Sequence, residues 1–254
     1  MRILIITLGT AVVCLIIFLI LKIWGGSQTF ISYSHPFYNQ QNGPVIQFEK
    51  PKFSEISEIL KNSKKNIYLD IATTKDGAIV IHEVNKYQTS SFRNQYFKDI
   101  KDVVLNLSDF KNSLKNRKII FNLTENAIAG DKTLIEEFQK MGLDDKSEIL
   151  ISAPYEVMSK SLKELAPTYI FAASKPEILR LKAMESFYLI ETASLRADVI
   201  IHPLYYYKKL FFTETFVQEI KRRNKKIVIG PIPKSEYEDA LKLNPFGIVV
   251  DSGI

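Results

Sequence analysis

Eight short runs of β-branched and aromatic residues alternate with stretches of helical periodicity between residues 28 and 254. Most of the runs are continuously apolar, which is typical of strands buried on both faces of a parallel sheet. The predicted strands are residues 30–34, 66–71, 118–123, 148–152, 168–172, 198–202, 226–230 and 247–251, and the predicted helices are residues 52–62, 108–115, 131–141, 155–165, 175–191, 213–224 and 234–243.

Eight strands joined by single helices predict an α/β fold of the (βα)₈ barrel type, the TIM barrel. An open doubly wound sheet is the alternative, but no glycine-rich phosphate loop follows the first run. The alternation breaks once, after the second strand, where turn residues 73–77 are followed by another apolar run and then His82. This break predicts a small hairpin on the rim of the barrel.

Residues 3–21 contain no charged side chain and are long enough to cross the hydrocarbon core of a bilayer. We therefore expect residues 1–27 to be a transmembrane anchor with a short linker, and residues 28–254 to be the barrel domain. Arg2 precedes the apolar run, and Lys22 and Trp24 follow it, which favours a single-pass protein whose barrel lies outside the cytoplasm. A cleaved signal peptide is the alternative.

Charge and cysteine content exclude several classes of function. The chain has 34 basic and 28 acidic residues, a formal charge of +6, but acids lie between the basic residues along most of the chain. A nucleic-acid partner is therefore not expected. Cys14 is the single cysteine, so an intramolecular disulfide and a thiolate metal site beyond residue 14 are excluded.

All three histidines lie at the ends of apolar runs, on the side of a barrel where catalytic groups lie. His35, His82 and His202 occupy these positions, with Asp70 near the end of the second strand. Two imidazoles flanking a carboxylate can supply general acid and base catalysis, for which phosphodiester cleavage is a natural reaction. The structural alternatives are strand capping by His35 and His202 and an exposed ion pair of His82 with Glu83. Other polar residues at strand ends are Asn122, Thr124, Ser152 and Asp251.

Residues 69–83, with the sequence LDIATTKDGAIVIHE, resemble the glycerophosphodiester phosphodiesterase family, whose motif is E-x-D, then T-K-D-G, an apolar run and H-D. The resemblance implies a TIM barrel with an inserted hairpin, a phosphoric diester hydrolase of phospholipid metabolism, and a divalent cation such as Mg²⁺ or Ca²⁺. It also implies that His35 and His82 are the catalytic pair. Glu83, in place of the family's aspartate, and His202 are the candidates for substrate binding.

The metal ligands of that family are largely replaced in this chain. Asp70 remains, but Tyr68 stands in place of its partner glutamate, and Thr124 stands in place of a glutamate on the third strand, one residue before Glu125. Pro36 stands where an arginine would contact phosphate. Because Mg²⁺ and Ca²⁺ need several oxygen ligands, one carboxylate predicts weak metal binding at best.

Three functions follow from these residues. The first is a membrane-anchored, catalytically degenerate barrel that binds a glycerophosphodiester, a lipid head group or an envelope partner. The second is an active phosphodiesterase that uses His35 and His82 with little or no metal, a basic side chain replacing the ion. The third is a scaffold at the membrane, with Tyr205, Tyr206 and Tyr207 as an aromatic contact patch, unless these rings pack beneath the barrel loops.

Overall fold

The computed structural model of the chain describes residues 2–39, 45–83, 91–125, 131–144 and 147–253. Its strands are β1 (Ile46–Lys50), β2 (Ile67–Thr73), β3 (Ile79–Ile81), β4 (Leu105–Asn106), β5 (Ile119–Leu123), β6 (Ile149–Ser152), β7 (Ile170–Phe171), β8 (Val199–His202), β9 (Tyr205–Tyr206), β10 (Lys209–Leu210), β11 (Lys226–Pro233) and β12 (Gly247–Asp251). Its α-helices are α1 (Arg2–Gly26), α2 (Ile56–Asn62), α3 (Phe97–Ile100), α4 (Asp131–Lys140), α5 (Glu156–Leu165), α6 (Lys175–Ser186), α7 (Glu214–Arg222) and α8 (Tyr237–Leu241).

Eight of the strands form a nearly closed parallel barrel. They pair in the order β7-β6-β5-β2-β1-β12-β11-β8, and a parallel bridge between Ala172 and Val199 joins the two ends of this order. The predicted (βα)₈ barrel is therefore confirmed. Seven of the eight predicted strands coincide with barrel strands to within a few residues.

The barrel buries apolar side chains both inside and outside. Phe48, Tyr68, Ile120, Leu150 and Val249 belong to the inner cluster, and the alternate residues of the same strands pack outward against the helices. A strand buried on both faces has no polar side to present, which explains the continuously apolar runs in the sequence.

The rim hairpin is also confirmed. Strand β3 pairs antiparallel with β2, with Ile81 opposite Ile71, and β4 extends this pairing along the other edge of β3. Gly77 closes the turn at a φ of 84°, a left-handed conformation that favours glycine. The hairpin places His82 directly after β3, with its backbone N–H donating to the Asp70 carbonyl at 3.2 Å.

The first predicted strand is wrong. Residues 30–34 form no strand, and the first barrel strand is β1, whose five residues pair in register with β12. The run FISYS has high β propensity, whereas only Ile46 and Phe48 are hydrophobic in β1. Pairing with neighbouring strands decides which segment enters a sheet, and here it outweighs local propensity.

Residues 27–39 instead form a strap across the amino-terminal end of the barrel. The Tyr33 hydroxyl donates to the Thr168 carbonyl at 3.3 Å, just before β7. Phe37 is fully buried, and its ring centroid lies 5.9 Å from that of Phe48 and 5.9 Å from that of Phe246, which precedes β12. Phe37 therefore closes the barrel interior at this end.

Several predicted helices are shorter than expected, among them those over 52–62 and 234–243, which begin with a 3-10 turn before α2 and α8. Residues 108–115 contain only a 3-10 helix, Leu107–Phe110. The helix expected over 175–191 ends at Ser186, because Tyr188 adopts a φ of 57° and the N–H of Leu189 turns back to the Met184 carbonyl at 2.8 Å. A 3-10 helix, Ile190–Thr192, follows it.

Helix α1 is long and apolar enough to span a membrane, judged by length and composition. Its carboxyl end contacts the barrel domain, where Lys22 forms an ion pair with Glu191 at 2.7 Å.

The strap offers a matched pair of substitutions that tests its packing. We expect Phe37→Ala to lower the free energy of unfolding by about 3–5 kcal/mol, because it leaves a cavity in the barrel interior. Ile31→Ala, in the same strap at a side chain that is 96% exposed, should change it by less than about 0.5 kcal/mol. Denaturant titration of the full chain in detergent measures both, and equal effects would show that Phe37 does not close the barrel.

Candidate ligand-binding cleft at the carboxyl end of the barrel

A cleft of about 640 Å³ lies at the carboxyl ends of the barrel strands. Parallel strands all end on this side, so side chains from different strands converge there. The charged and titratable residues that line the cleft are Lys50, Lys52, Tyr68, Asp70, His82, Glu83 and Asp251.

Lys50 is the cation at the centre of this cluster. Its Nζ atom lies 3.4 Å from Asp70 Oδ2 and 3.4 Å from Asp251 Oδ2. The register of the sheet explains the second contact, because Lys50 and Asp251 are direct partners at the ends of β1 and β12. The ammonium also lies 5.8 Å from the centroid of the Tyr68 ring. One positive charge is thus shared by two carboxylates.

Asp70 is held by its neighbour on the next strand. Asp70 and Asn122 are register partners on β2 and β5, and Asn122 Nδ2 donates to Asp70 Oδ1 at 2.6 Å. The carboxylate therefore has a fixed orientation, with one oxygen on Asn122 and the other facing Lys50.

Tyr68 contributes a neutral phenol to the base of the cleft. Burial raises the pKa of its hydroxyl well above its ordinary value, and the charges of Asp70 and Asp251 raise it further. The group can donate a hydrogen bond to a ligand but is a poor source of protons near neutral pH.

His82 faces the cleft and is paired with Thr124. Its Nε2 atom lies 2.7 Å from Thr124 Oγ1. Burial lowers the pKa of the imidazole, and Asp70 and the backbone of Glu83 oppose part of that shift. Thr124, which stands where the resembled family has a metal ligand, thus orients a histidine through a hydroxyl group.

Glu125 does not replace the missing carboxylate. Its Oε1 atom accepts a hydrogen bond from the Phe92 N–H at 2.7 Å, and its Oε2 atom accepts one from Ser91 Oγ at 2.8 Å. The side chain therefore holds the start of the 3-10 helix Phe92–Asn94, and it is not among the residues that line the cleft.

His35 lies at the opposite end of the barrel from His82, so the predicted position beside the cleft is wrong. It is buried in the strap, where its Nδ1 atom accepts a hydrogen bond from the Phe37 N–H at 3.1 Å. The error follows from the first strand: the segment before His35 is not a barrel strand. The structure does not bring the predicted catalytic pair together.

His202 ends β8 on the same side as the cleft but does not line it. Its ring stacks on Phe211 with centroids 3.6 Å apart, and its Nδ1 atom lies 2.9 Å from the Pro203 carbonyl oxygen. Burial lowers the pKa of this imidazole, and the nearby Lys182 lowers it further. Its substrate-binding role stays a prediction, as does that of Glu83, which does line the cleft.

The residues of the cleft do not fit a divalent cation. No group of three or more His, Cys, Asp or Glu that could hold a metal ion occurs among the described residues. Asp70 and Asp251 face a shared point, but the Lys50 ammonium is already there. Mg²⁺ and Ca²⁺ require more oxygen ligands than this pair provides.

Lys50 and Lys52 are the site residues that sequence reasoning missed. Both follow from the correct first strand, in which Ile46 and Phe48 alternate with polar residues before Lys50 and Pro51. That short alternation was the available signal.

The aromatic patch is exposed. Strands β9 and β10 form a two-stranded antiparallel hairpin after β8. Tyr205, Tyr206 and Tyr207 are 39%, 48% and 84% exposed, so the alternative in which these rings pack beneath the barrel loops is wrong.

Comparison with known proteins supports the architecture. No protein-family model and no curated protein sequence matches the chain. Its structure resembles a glycerophosphodiester phosphodiesterase from Parabacteroides distasonis, with a TM-score of 0.61, 12% identity, and coverage of 82% of this chain and 93% of that chain. It also resembles a phosphodiesterase from Oleispira antarctica, solved with the product sn-glycerol-3-phosphate, at a TM-score of 0.59, 12% identity and coverage of 82% and 93%.

A third such structure is the glycerophosphodiester phosphodiesterase of Agrobacterium tumefaciens, with a TM-score of 0.57, 10% identity, and coverage of 82% of this chain and 96% of that chain. The predicted resemblance to this family is therefore confirmed at the level of the fold. At these identities the comparisons establish the barrel and not the reaction.

The lowered pKa values of His82 and His202 predict a loss of stability in acid. Both groups have an ordinary pKa of 6.5, so below that pH the unfolded chain binds more protons than the folded chain. The free energy of unfolding should therefore fall as the pH drops from 6.5 toward the folded-state pKa. We expect His82→Gln to make this decline shallower, and His82→Gln with His202→Gln to make it shallower still. Denaturant titrations between pH 5 and 8 measure it; an unchanged slope in both variants would contradict the assignment.

Proposed function

We propose that the chain is a membrane-anchored, glycerophosphodiester phosphodiesterase-like protein that binds a phosphodiester at the barrel mouth and hydrolyses it slowly or not at all. The observation that carries this proposal is the position of Lys50, whose ammonium lies between Asp70 and Asp251. The ammonium group of Lys50 thus occupies the position between the two carboxylates where a divalent ion would bind.

The hydrogen-bond donors and acceptors of the cleft suit a ligand that combines phosphate oxygens with hydroxyl groups. Two lysines and three carboxylates line it, so its net charge alone does not attract a phosphodiester. Lys50 and Lys52 can donate to phosphate oxygens, whereas Asp70 and Glu83 can accept hydrogen bonds from the hydroxyl groups of a glycerol moiety. A glycerophosphodiester or a glycerolipid head group combines the two kinds of partner.

Reduced hydrolysis follows from the number of proton-transfer groups. General acid and base catalysis of phosphodiester cleavage uses one group to remove a proton and one to supply it. His82 is in the cleft, but His35 lies at the other end of the barrel. Tyr68 is too weak an acid to replace it near neutral pH, given the direction of its pKa.

An active phosphodiesterase is the second candidate, and the contact between His82 and Thr124 at 2.7 Å favours it. Burial keeps the imidazole neutral near pH 7, which suits a general base. Lys50 would then stabilise negative charge that develops on the phosphoryl oxygens, as a basic side chain in place of a metal.

A membrane scaffold is the third candidate. It is supported by the exposure of Tyr205, Tyr206 and Tyr207 on the hairpin of β9 and β10, which we name the tyrosine hairpin. It requires a partner protein and neither ligand binding nor turnover in the cleft.

The first test measures binding and turnover of a glycerophosphodiester by the full chain in detergent. We expect glycerophosphocholine to bind with little release of choline, with or without Mg²⁺ or Ca²⁺. Lys50→Met should weaken binding by about tenfold or more, the loss of a charge-assisted hydrogen bond. Lys160→Met, at an exposed lysine outside the cleft, is the matched control and should bind normally.

Turnover that disappears in His82→Gln would establish the second candidate in place of the first. Absence of both binding and turnover would contradict the first two candidates and favour the third, the membrane scaffold.

The second test asks whether Lys50 occupies a cation site. In Lys50→Ala, the carboxylates of Asp70 and Asp251 lose their shared partner, so millimolar Ca²⁺ should bind weakly between them, with water supplying its remaining oxygen ligands. At saturating Ca²⁺ we expect a rise in melting temperature of about 2–4 °C in this variant and a smaller one in the original chain. Asp70→Asn in the same background should abolish the rise. An equal rise in the original chain would mean that Lys50 does not exclude the ion.

A further inference from the structure

The junction between α1 and the barrel is built from several specific contacts. Lys22 Nζ forms an ion pair with Glu191 at 2.7 Å and donates to the Tyr188 carbonyl at 2.8 Å. Gly25 is buried against Glu191, where an added Cβ would lie 2.9 Å from the Glu191 Cβ. The close approach requires a glycine, so the end of α1 is packed directly against the domain.

Arg222 completes this junction by binding the carbonyl groups at the end of α1. Its guanidinium donates to the carbonyl oxygens of Gly25, Gly26 and Gln28 at 3.2, 3.3 and 2.8 Å. The last carbonyls of a helix lack partners within the helix, and an arginine there satisfies them. The position of α1 relative to α7 is therefore fixed by hydrogen bonds on the domain side.

The junction lies at the amino-terminal end of the barrel, opposite the cleft. Helix α6 begins at the cleft side after β7 and ends at Ser186, and Glu191 lies in the connection from α6 to β8. Twelve helical residues at ~1.5 Å each separate the two ends by about 18 Å. Between residues 7 and 21 the side chains of α1 are exposed, apart from that of Phe18.

Large apolar side chains are exposed around this junction. Trp24, Ile31, Phe187 and Tyr188 are 58%, 96%, 66% and 75% exposed, and we name these four residues the anchor-side patch. They are linked through the junction itself, since Lys22 binds the Tyr188 carbonyl and Arg222 lies 5.2 Å from the ring centroid of Phe30, the neighbour of Ile31. Exposed aromatic and aliphatic side chains beside an apolar helix suit the interfacial region of a bilayer.

Resting on the membrane anchoring of the proposed function, we propose that the anchor-side patch lies on the bilayer that α1 spans. The cleft then faces away from this bilayer. Its ligand is therefore a water-soluble glycerophosphodiester, and an intact phospholipid of the same leaflet does not reach it.

The tyrosine hairpin is the competing membrane-binding surface, because it combines exposed aromatic rings with Lys208 and Lys209. It follows β8 at the cleft side, however, whereas α1 is attached at the other end of the barrel. Because α1 is attached at the amino-terminal end of the barrel, that end lies nearer to the membrane that α1 spans than the tyrosine hairpin does.

The single cysteine of the chain makes this orientation measurable. In a Cys14→Ser background, single cysteines at Ile31→Cys, Phe187→Cys, Tyr206→Cys and Val157→Cys are labelled with an environment-sensitive fluorophore. The full chain is reconstituted in phosphatidylcholine and phosphatidylglycerol vesicles containing lipids brominated along the acyl chain. Val157, exposed near the start of α5 on the cleft side, is the control.

We expect at least twofold quenching at positions 31 and 187 and none at 206 and 157. Quenching at 206 without quenching at 187, or no quenching at any position, would overturn the proposal. Glu191→Lys should reduce quenching at 187 by repelling Lys22, and Lys22→Glu combined with Glu191→Lys should restore it. Failure of that rescue would show that the ion pair between Lys22 and Glu191 does not fix the orientation of the barrel.

The ligand part is tested by competition with the surrounding lipid. Binding of soluble glycerophosphocholine is compared between the full chain in a maltoside detergent, which contains no phosphate, and the full chain in vesicles of phosphatidylcholine. We expect equal apparent Kd values; a Kd at least threefold weaker in phosphatidylcholine would show that the head group of the surrounding lipid reaches the cleft. If glycerophosphocholine does not bind at all, the proposed function fails, whereas the quenching pattern still decides the orientation.

Discussion

The parallel register between β1 and β12 determines the chemistry of the barrel mouth. It makes Lys50 and Asp251 direct partners, and the register between β2 and β5 does the same for Asp70 and Asn122. Charged groups with little exposure are stable only when they are paired or hydrogen bonded. Here the chain supplies the cation, both carboxylates and an amide donor from four strands. Asp70 and Asp251 therefore share a cation of the chain, which distinguishes the mouth from the metal site that the motif around Asp70 implies.

Most of the fold could be predicted because strands buried on two faces leave a strong pattern. Strands β5, β6, β8 and β12 read as short, almost purely apolar runs, and each was found within one or two residues. Strand β1 leaves a weak pattern, since it has hydrophobic residues only at Ile46 and Phe48. Its pairing partners lie about 200 residues away in β12 and nearby in β2, and no local property of its five residues reports them. The strap carries the stronger β propensity but packs as an irregular segment.

The candidate site was predictable to the extent that it is local in the sequence. Asp70 and His82 lie on one hairpin, so the turn at residues 74–78 is enough to bring them to the same rim. His35 and Lys50 depend instead on which segment forms the first strand. If residues 30–34 are taken as the first strand, His35 is predicted beside the cleft and Lys50 is not. With β1 as the first strand, the cleft contains one imidazole, that of His82, and an ion cluster around the Lys50 ammonium.

The two ends of the barrel carry different functional groups, and the strands that connect them keep these ends apart. Trp24, Phe187 and Tyr188 are exposed around the junction with α1. The other end holds the cleft with its lysines, carboxylates and His82, and also the exposed tyrosine hairpin. A parallel barrel allows this division because each end is made by a different set of connections, which can change without altering the strands. Attachment of α1 at one end therefore constrains what the other end can meet. In the orientation proposed above, the cleft is supplied from the aqueous side, and its mixture of cations and hydrogen-bond acceptors suits a small polar ligand better than an acyl chain.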